Sequence, residues 1–445
     1  MMQPSMQPSA SSGVPKRRGY AWLLVGLLWW VCFLNYADRQ AIFSVFPVLR
    51  EEFRLSDMQL GMVAGSFMWM YAAFGPVAGW VADKVSRSRL IVAALCFWSL
   101  CTGATAYAHG YPSLLLVRML GGLGEAFYFP AAMSLLAAYH GQATRSRAMA
   151  VHQSSVYVGT IAGGTLSAYL AERFGWQLGF TVLGAVGTLL AAVLLLLMHD
   201  PSEDTGDPHP AGPAAPATEA ETVASHAEPR PRGELRRGLL ALARNRGVLA
   251  MVAVFMGANF VAVVFLVWMP TFLQRKFNMH LGDAGFNSTA YVQTASVVGV
   301  IVGGFLADML RRRTAGGRQL VQAAGLLGGV PFLFFIGHAL SVAALLLSMT
   351  GFGLFKGLYD ANIWASLYDF VPAEQRGLAT GAMNSLGWLG GGFAPIAFAW
   401  ASGRYGLSAC VSMTAGIYLV LAGCLIWLVL ERGRAGWGSL PAPIA

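Results

Sequence analysis

Twelve stretches of this chain are apolar over roughly the length a bilayer demands, and no other feature restricts the fold as strongly. A helix crossing the hydrocarbon core needs about 20 mostly apolar residues. The stretches cover about residues 20–46, 58–82, 88–108, 112–138, 148–170, 177–198, 247–273, 286–310, 319–338, 341–367, 377–401 and 406–430. Charged residues fill only 11% of the 445 positions, against about 25% in soluble domains. A soluble surface of this size could not be covered, so the reading is an all-α membrane protein. The first stretch is too long for a signal peptide's apolar core and is not followed by a small-residue cleavage site; it is expected to be a permanent span. Cys32, Cys96, Cys101, Cys410 and Cys424 all fall in apolar runs and read as small buried residues, neither bridges nor metal ligands.

The net charge of +9 sorts by position. Along a twelve-span path, 21 Lys and Arg fall on the side of the N-terminus, 6 on the far side and 3 inside spans. Basic residues collect on the cytoplasmic side of membrane proteins, so both termini are expected in the cytoplasm, with the chain in a cell membrane (in a bacterium, the inner one). The excess is a topology signal, and nucleic acid is not needed to explain it.

Residues 199–232, rich in Pro, Ala and acids, cannot bury enough apolar surface to fold alone and read as a linker. A basic amphipathic helix over about 234–244 (ELRRGLLALAR) is expected on the inner membrane surface. The chain thus divides into a disordered N-terminus (1–19), a six-helix half (20–198), a linker with that helix (199–245), a second half (246–431) and a tail (432–445). The halves resemble each other. Gly79-Trp-Val-Ala-Asp83 recurs as Gly304-Phe-Leu-Ala-Asp308, and Arg147-Ala-Met-Ala recurs as Arg376-Gly-Leu-Ala, at offsets of 225 and 229. Transporters built from two repeats place their substrate site between them, near the midplane.

Six ionisable side chains lie inside spans: Asp38, Arg39, Arg118, Glu125, Lys356 and Asp360. Each costs about 2.5–3.5 kcal/mol at a helix centre on insertion scales, and such residues usually mark a substrate or ion path. Arg118 and Glu125 are two helical turns apart and share a face. Asp38 and Arg118 fall at similar depths, about 13 and 10 Å from the outer ends of their spans, so they could pair directly. Lys356 and Asp360 stand i,i+4 and can pair; both are candidate substrate-binding residues, and Lys356 with Arg39 argues for an anionic substrate. Desolvation favours the neutral form of a carboxyl and a nearby guanidinium the charged form. Exchange of Arg118 between Asp38 and Glu125 would therefore move protons on and off both acids. Arg39 offers a planar fork for a substrate carboxylate, although it is turned about 100° from Asp38. The alternative is that these charges are structural ion pairs.

Three motifs resemble the major facilitator superfamily of secondary transporters: Gly79–Arg89 (GWVADKVSRSR), Asn35-Tyr-Ala-Asp38-Arg39, and Arg118–Pro130 (RMLGGLGEAFYFP). The last two resemble its organic anion:proton symporters, carriers of hexuronates, galactonate and related sugar acids; the Spinster-like lysolipid transporters share them. The resemblance implies a twelve-helix fold and proton-driven symport of a small organic anion, with no cofactor beyond the proton gradient. It also implies binding roles for Tyr71, Trp364 and Asn384, and inner gates at Asp83 with Arg87 and at Asp308 with Arg312. Polar residues near the intramembrane charges, among them Tyr36, Gln153, Tyr157, Asn259, Tyr359 and Asn362, are candidates to line a cavity or equally to make interhelical contacts. His152 reads as a satisfied interhelical histidine. No phosphate loop, HExxH, GxSxG or CxxC is present, so an enzyme is not expected; a monomer without a metal is. The competing readings are a lysolipid or sphingolipid transporter and a membrane sensor without net flux.

Overall fold

In a computed structural model, described over residues 14–82, 84–200, 234–372 and 375–435, the described residues form sixteen helices and no strand. The first half comprises α1 (Val14–Ser44), α2 (Phe46–Glu52), α3 (Asp57–Ala82), α4 (Arg87–Thr105), α5 (Tyr111–Ala126), α6 (Tyr128–Tyr139), α7 (Gln142–Phe174) and α8 (Trp176–Leu197). The amphipathic stretch is α9 (Glu234–Arg244). The second half comprises α10 (Arg246–Phe277), α11 (Leu281–Arg311), α12 (Gly317–His338), α13 (Val342–Asp360), α14 (Ile363–Tyr368), α15 (Arg376–Tyr405) and α16 (Leu407–Ala435).

Ten spans, counting α5–α6 and α13–α14 as one each, are long and apolar enough to cross a membrane. The other two, α7 and α15, are 33 and 30 residues long. They are less apolar because they lie between the halves, against protein on several sides, where Gly, Ser and Gln replace the Leu and Val of a lipid-facing surface. Spans 4 and 10 are not the continuous helices expected. Each breaks once, at Phe127 and at Ala361–Asn362.

Helix packing repeats with the sequence. In the first half α1 packs on α7, α3 on α5 and α4 on α8; in the second, α10 packs on α15, α11 on α13 and α12 on α16. Exchanging the halves maps each pair onto its counterpart. It also maps the two main contacts between halves, α3 on α15 and α7 on α11, onto each other.

Call the face carrying both chain ends terminal and the other distal. The distal parts of both seams are closed by backbone approach, which only residues without a Cβ allow. A Cβ on Gly61 of α3 would stand 2.8 Å from the Pro395 carbonyl oxygen of α15, and one on Gly285 of α11 would stand 2.6 Å from the Gly164 carbonyl oxygen of α7. Trp268 Nε1 donates to the same Pro395 oxygen at 3.1 Å, and Gln40 Nε2 donates to Leu266 O at 3.0 Å. Two polar contacts cap the seal. Arg275 forks onto Asp57 at 2.8 and 2.9 Å, with Arg50 3.6 Å away. Glu172 meets His280 Nδ1 at 3.1 Å and accepts from the Gly282 N–H at 3.0 Å. Towards the terminal face the seams part: Gly79, Gly304, Gly377 and Gly381 have nothing within 4 Å of where a Cβ would sit. Among the described residues the contacts that join the halves are thus gathered towards the distal face.

Candidate functional site

At the α3–α15 seam one guanidinium joins the halves. Arg39 Nε bonds Glu125 Oε2 at 2.6 Å, deep in the bundle, with 10% and 2% of the two side chains exposed. Its Cζ lies 5.0 Å from the Tyr36 ring, 5.1 Å from Phe67, 4.6 Å from Tyr71 and 5.3 Å from Trp388, the last contributed by the second half. Cation–π attraction to four rings holds the charge without consuming its N–H donors. Arg39 Nη1 has no hydrogen-bond partner. Tyr71 and Trp388 meet edge to face at 5.5 Å across the seam, and Trp69 of α3 donates to Leu389 O at 3.3 Å. Asn384, part-buried four residues before Trp388, shares its helix face.

The direct pairing open to Asp38 and Arg118 does not form. Asp38 is buried and accepts from Thr102 Oγ1 of α4 at 2.9 Å, while its Oδ1 has no partner. Arg118 lies within electrostatic reach of Asp38 and Glu125 but makes an ion pair with neither. It presents its Cζ to the Phe67 ring at 4.5 Å, leaving Nε and Nη2 without partners. The reason is rotational: Glu125, which shares a face with Arg118, turns instead to Arg39. Buried and short of hydrogen bonds, Arg118 carries a desolvation cost that a nearby carboxylate would offset.

The Lys356–Asp360 pair forms along α13, and Tyr157 of α7 lies within electrostatic reach of both. Gln153, one turn before Tyr157, is exposed on the same helix, while Trp364 on α14 stands against Phe255 at 5.5 Å. Asn259 and Asn362 are taken up by interhelical bonds, to Gly387 O at 2.7 Å and Gly303 O at 3.3 Å. His152 is fully buried, its Nε2 2.7 Å from the Tyr128 hydroxyl, which itself donates to Leu28 O. Of the gate residues, Asp308 and Arg312 are exposed and make no ion pair among the described residues, Arg87 is half-buried at the start of α4, and Asp83 lies outside the described residues. All five cysteines are free; Cys32 and Cys410 are buried and the others partly so. Phe67, Trp388 and Thr102 went unseen in the sequence, because a phenylalanine or threonine in an apolar span carries no local signal of its use.

Two pseudo-symmetric helical halves, enclosing buried charges and joined towards the distal face, define a multi-pass membrane transporter. The chain belongs to the major facilitator superfamily, whose sequence profile matches residues 28–395 and, overlapping, 273–443. It is 24% identical over 440 residues to a probable galactarate/D-glucarate transporter of Escherichia coli, covering 95% of each chain. It is 28% identical over 394 residues to a probable sulfoacetate transporter of Cupriavidus necator, covering 86% of this chain and 88% of the other. Its fold is similar to the crystal structure of a bacterial homologue of the human lysosomal transporter Spinster in an inward-facing, occupied conformation. The TM-score is 0.76 at 19% identity, over 95% of this chain and 99% of that one.

Proposed function

We propose that the protein is a proton-coupled symporter of a small organic anion, a sugar acid or related carboxylate, that works by alternating access. One observation carries this reading: a guanidinium buried at the seam of the halves, with a free N–H, held by a single carboxylate and clasped by rings from both sides. An incoming carboxylate competes with Glu125 for the Arg39 fork. Released from its cation in a low-dielectric setting, Glu125 takes a proton, so anion and proton bind together. Arg118, unpaired between Asp38 and Glu125, is free to follow whichever acid is charged, and Asp38 is the second proton carrier. Trp388 and Asn384 complete the pocket from the second half, which ties occupancy to the position of the halves. The named substrates of the relatives, galactarate, glucarate and sulfoacetate, support an acidic cargo. No cofactor enters beyond the proton gradient. The protein acts as a monomer in a cell membrane with both termini in the cytoplasm, the orientation that the 21-to-6 split of basic residues favours.

Purified protein in liposomes, given an imposed pH gradient and a panel of labelled sugar acids and lysolipids, tests the reading. Gradient-driven uptake of a sugar acid is expected. Glu125→Gln should abolish that uptake while counterflow at equal pH persists, because exchange needs the binding site and not the proton. Uptake of lysolipids alone, or no response of any compound to the gradient, refutes it.

A further inference from the structure

Both broken spans carry an acid close to the break. Span 4 breaks at Phe127, two residues after Glu125, and span 10 breaks at Ala361–Asn362, directly after Asp360. The exchange of halves that maps α3–α5 packing onto α11–α13 packing brings these spans into correspondence. Each half therefore carries one acid in the last turn before its helix break, and each acid holds a cation. Glu125 holds Arg39; Asp360 holds Lys356, on the same face of its own helix. A pair within one helix ties no two helices together, so a purely structural role leaves the cost of placing both charges in a span without return.

The pair is also reachable. Its side chains remain 17% and 23% exposed although α13 is otherwise packed closely, Gly353 and Gly357 against α11 and Phe352 buried. The groups that face it electrostatically are three tyrosines: Tyr157 from α7, Tyr359 from α13 itself and Tyr418 from α16. Tyr157 belongs to the opposite half, which places the pair on the side where α7 and α11 meet. Arg39, by contrast, lies at the α3–α15 seam.

We infer that Lys356 and Asp360 form a second anion-and-proton station, and that the substrate is a dianion whose two acid groups reach one seam each; this rests on reading Arg39–Glu125 as the first station. An acid group of the substrate takes the Lys356 ammonium, forming one ion pair as the pair with Asp360 breaks. Asp360, left without a cation, takes a proton from water. On release Lys356 returns to Asp360 and the proton leaves on the side where the substrate leaves. The second acid group thus brings one further proton.

D-glucarate and D-gluconate share a six-carbon chain and differ in one terminal carboxylate, so they separate the stations. In proteoliposomes, Lys356→Gln is expected to raise KM for glucarate by about ten- to a hundredfold, the effect of losing a charged hydrogen-bond partner. KM for gluconate should change by less than about twofold, its single acid group being held at the first station. Should the lone Asp360 prevent folding, Lys356→Gln with Asp360→Asn leaves no unpaired charge. In that variant the number of protons moved per glucarate should fall by one, with the ratio for gluconate unchanged, an outcome that loss of packing does not produce. Equal rises in KM for both compounds, or an unchanged coupling ratio in the double variant, overturn the second station alone. Failure of the wild type to move either compound overturns it together with the first.

Discussion

Replacing Arg275 by Gln is expected to shift the protein towards a state open at the distal face. Asp57 and Arg275 belong to opposite halves, so their contact exists only while the distal mouth is closed. A group that interacts with one state alone moves the equilibrium by the free energy of that interaction. The two N–H···O bonds, 2.8 and 2.9 Å long, are bidentate, and the side chains are 26% and 22% exposed. Exposed pairs contribute about 0.2–1 kcal/mol and hydrogen bonds to charged groups about 1.5–3 kcal/mol. A partly wet fork falls between these ranges, and Arg50, 3.6 Å from Asp57, retains some of the attraction when Arg275 is gone. The loss is then about 1 kcal/mol, a factor of about five in the ratio of distal-open to distal-closed molecules. Arg275→Lys, which keeps the charge and loses the fork, should give a smaller shift. Spin labels at Glu51→Cys and Asp283→Cys, on opposite sides of the mouth in a background without the five native cysteines, read the two populations as two distances in nanodiscs. An unchanged distance distribution in Arg275→Gln would falsify the claim that this fork latches the distal face.

Two further outcomes test other parts of the structure. A methyl at Gly61 meets the Pro395 carbonyl of the opposite half at 2.8 Å, whereas one at Gly163 meets the Ala37 backbone of the same half. Gly61→Ala should therefore raise the distal-open population in the same distance measurement. Gly163→Ala should instead lower thermal stability, by about 1–3 kcal/mol of overpacking, without favouring either state. Trp388→Ala removes the only ring that, among the described residues, the second half lends to Arg39. It should raise KM for the transported anion by about two- to thirtyfold, the range of one cation–π contact from exposed to desolvated, while Trp388→Phe restores part of the loss; no change in uptake kinetics would detach Trp388 from the site.

The sequence by itself determined what the chain lives in, the positions of its spans, the tandem repeat and the short list of charges worth following. Hydropathy is summed over about twenty residues and survives small errors of position, and a charge inside such a window is conspicuous whatever surrounds it. The order of the superfamily's elements was legible for the same reason, in Asn35–Arg39 and Arg118–Pro130. The partner of each charge was not legible. Successive residues on a helix point about 100° apart, so adjacent Asp38 and Arg39 face different neighbours, and only the rotation of α1 against α4, α5 and α15 decided between them. It gave Asp38 to Thr102 and Arg39 to Glu125, and left Arg118 against Phe67. The break after Glu125 has a local signal in Pro130, which can give no N–H to the Ala126 carbonyl four residues back; the break after Asp360 has no such proline and is set by the packing around it. The distal latch has the same origin: Asp57 and Arg275, 218 positions apart, read as ordinary ends of spans until the two halves close and bring them together.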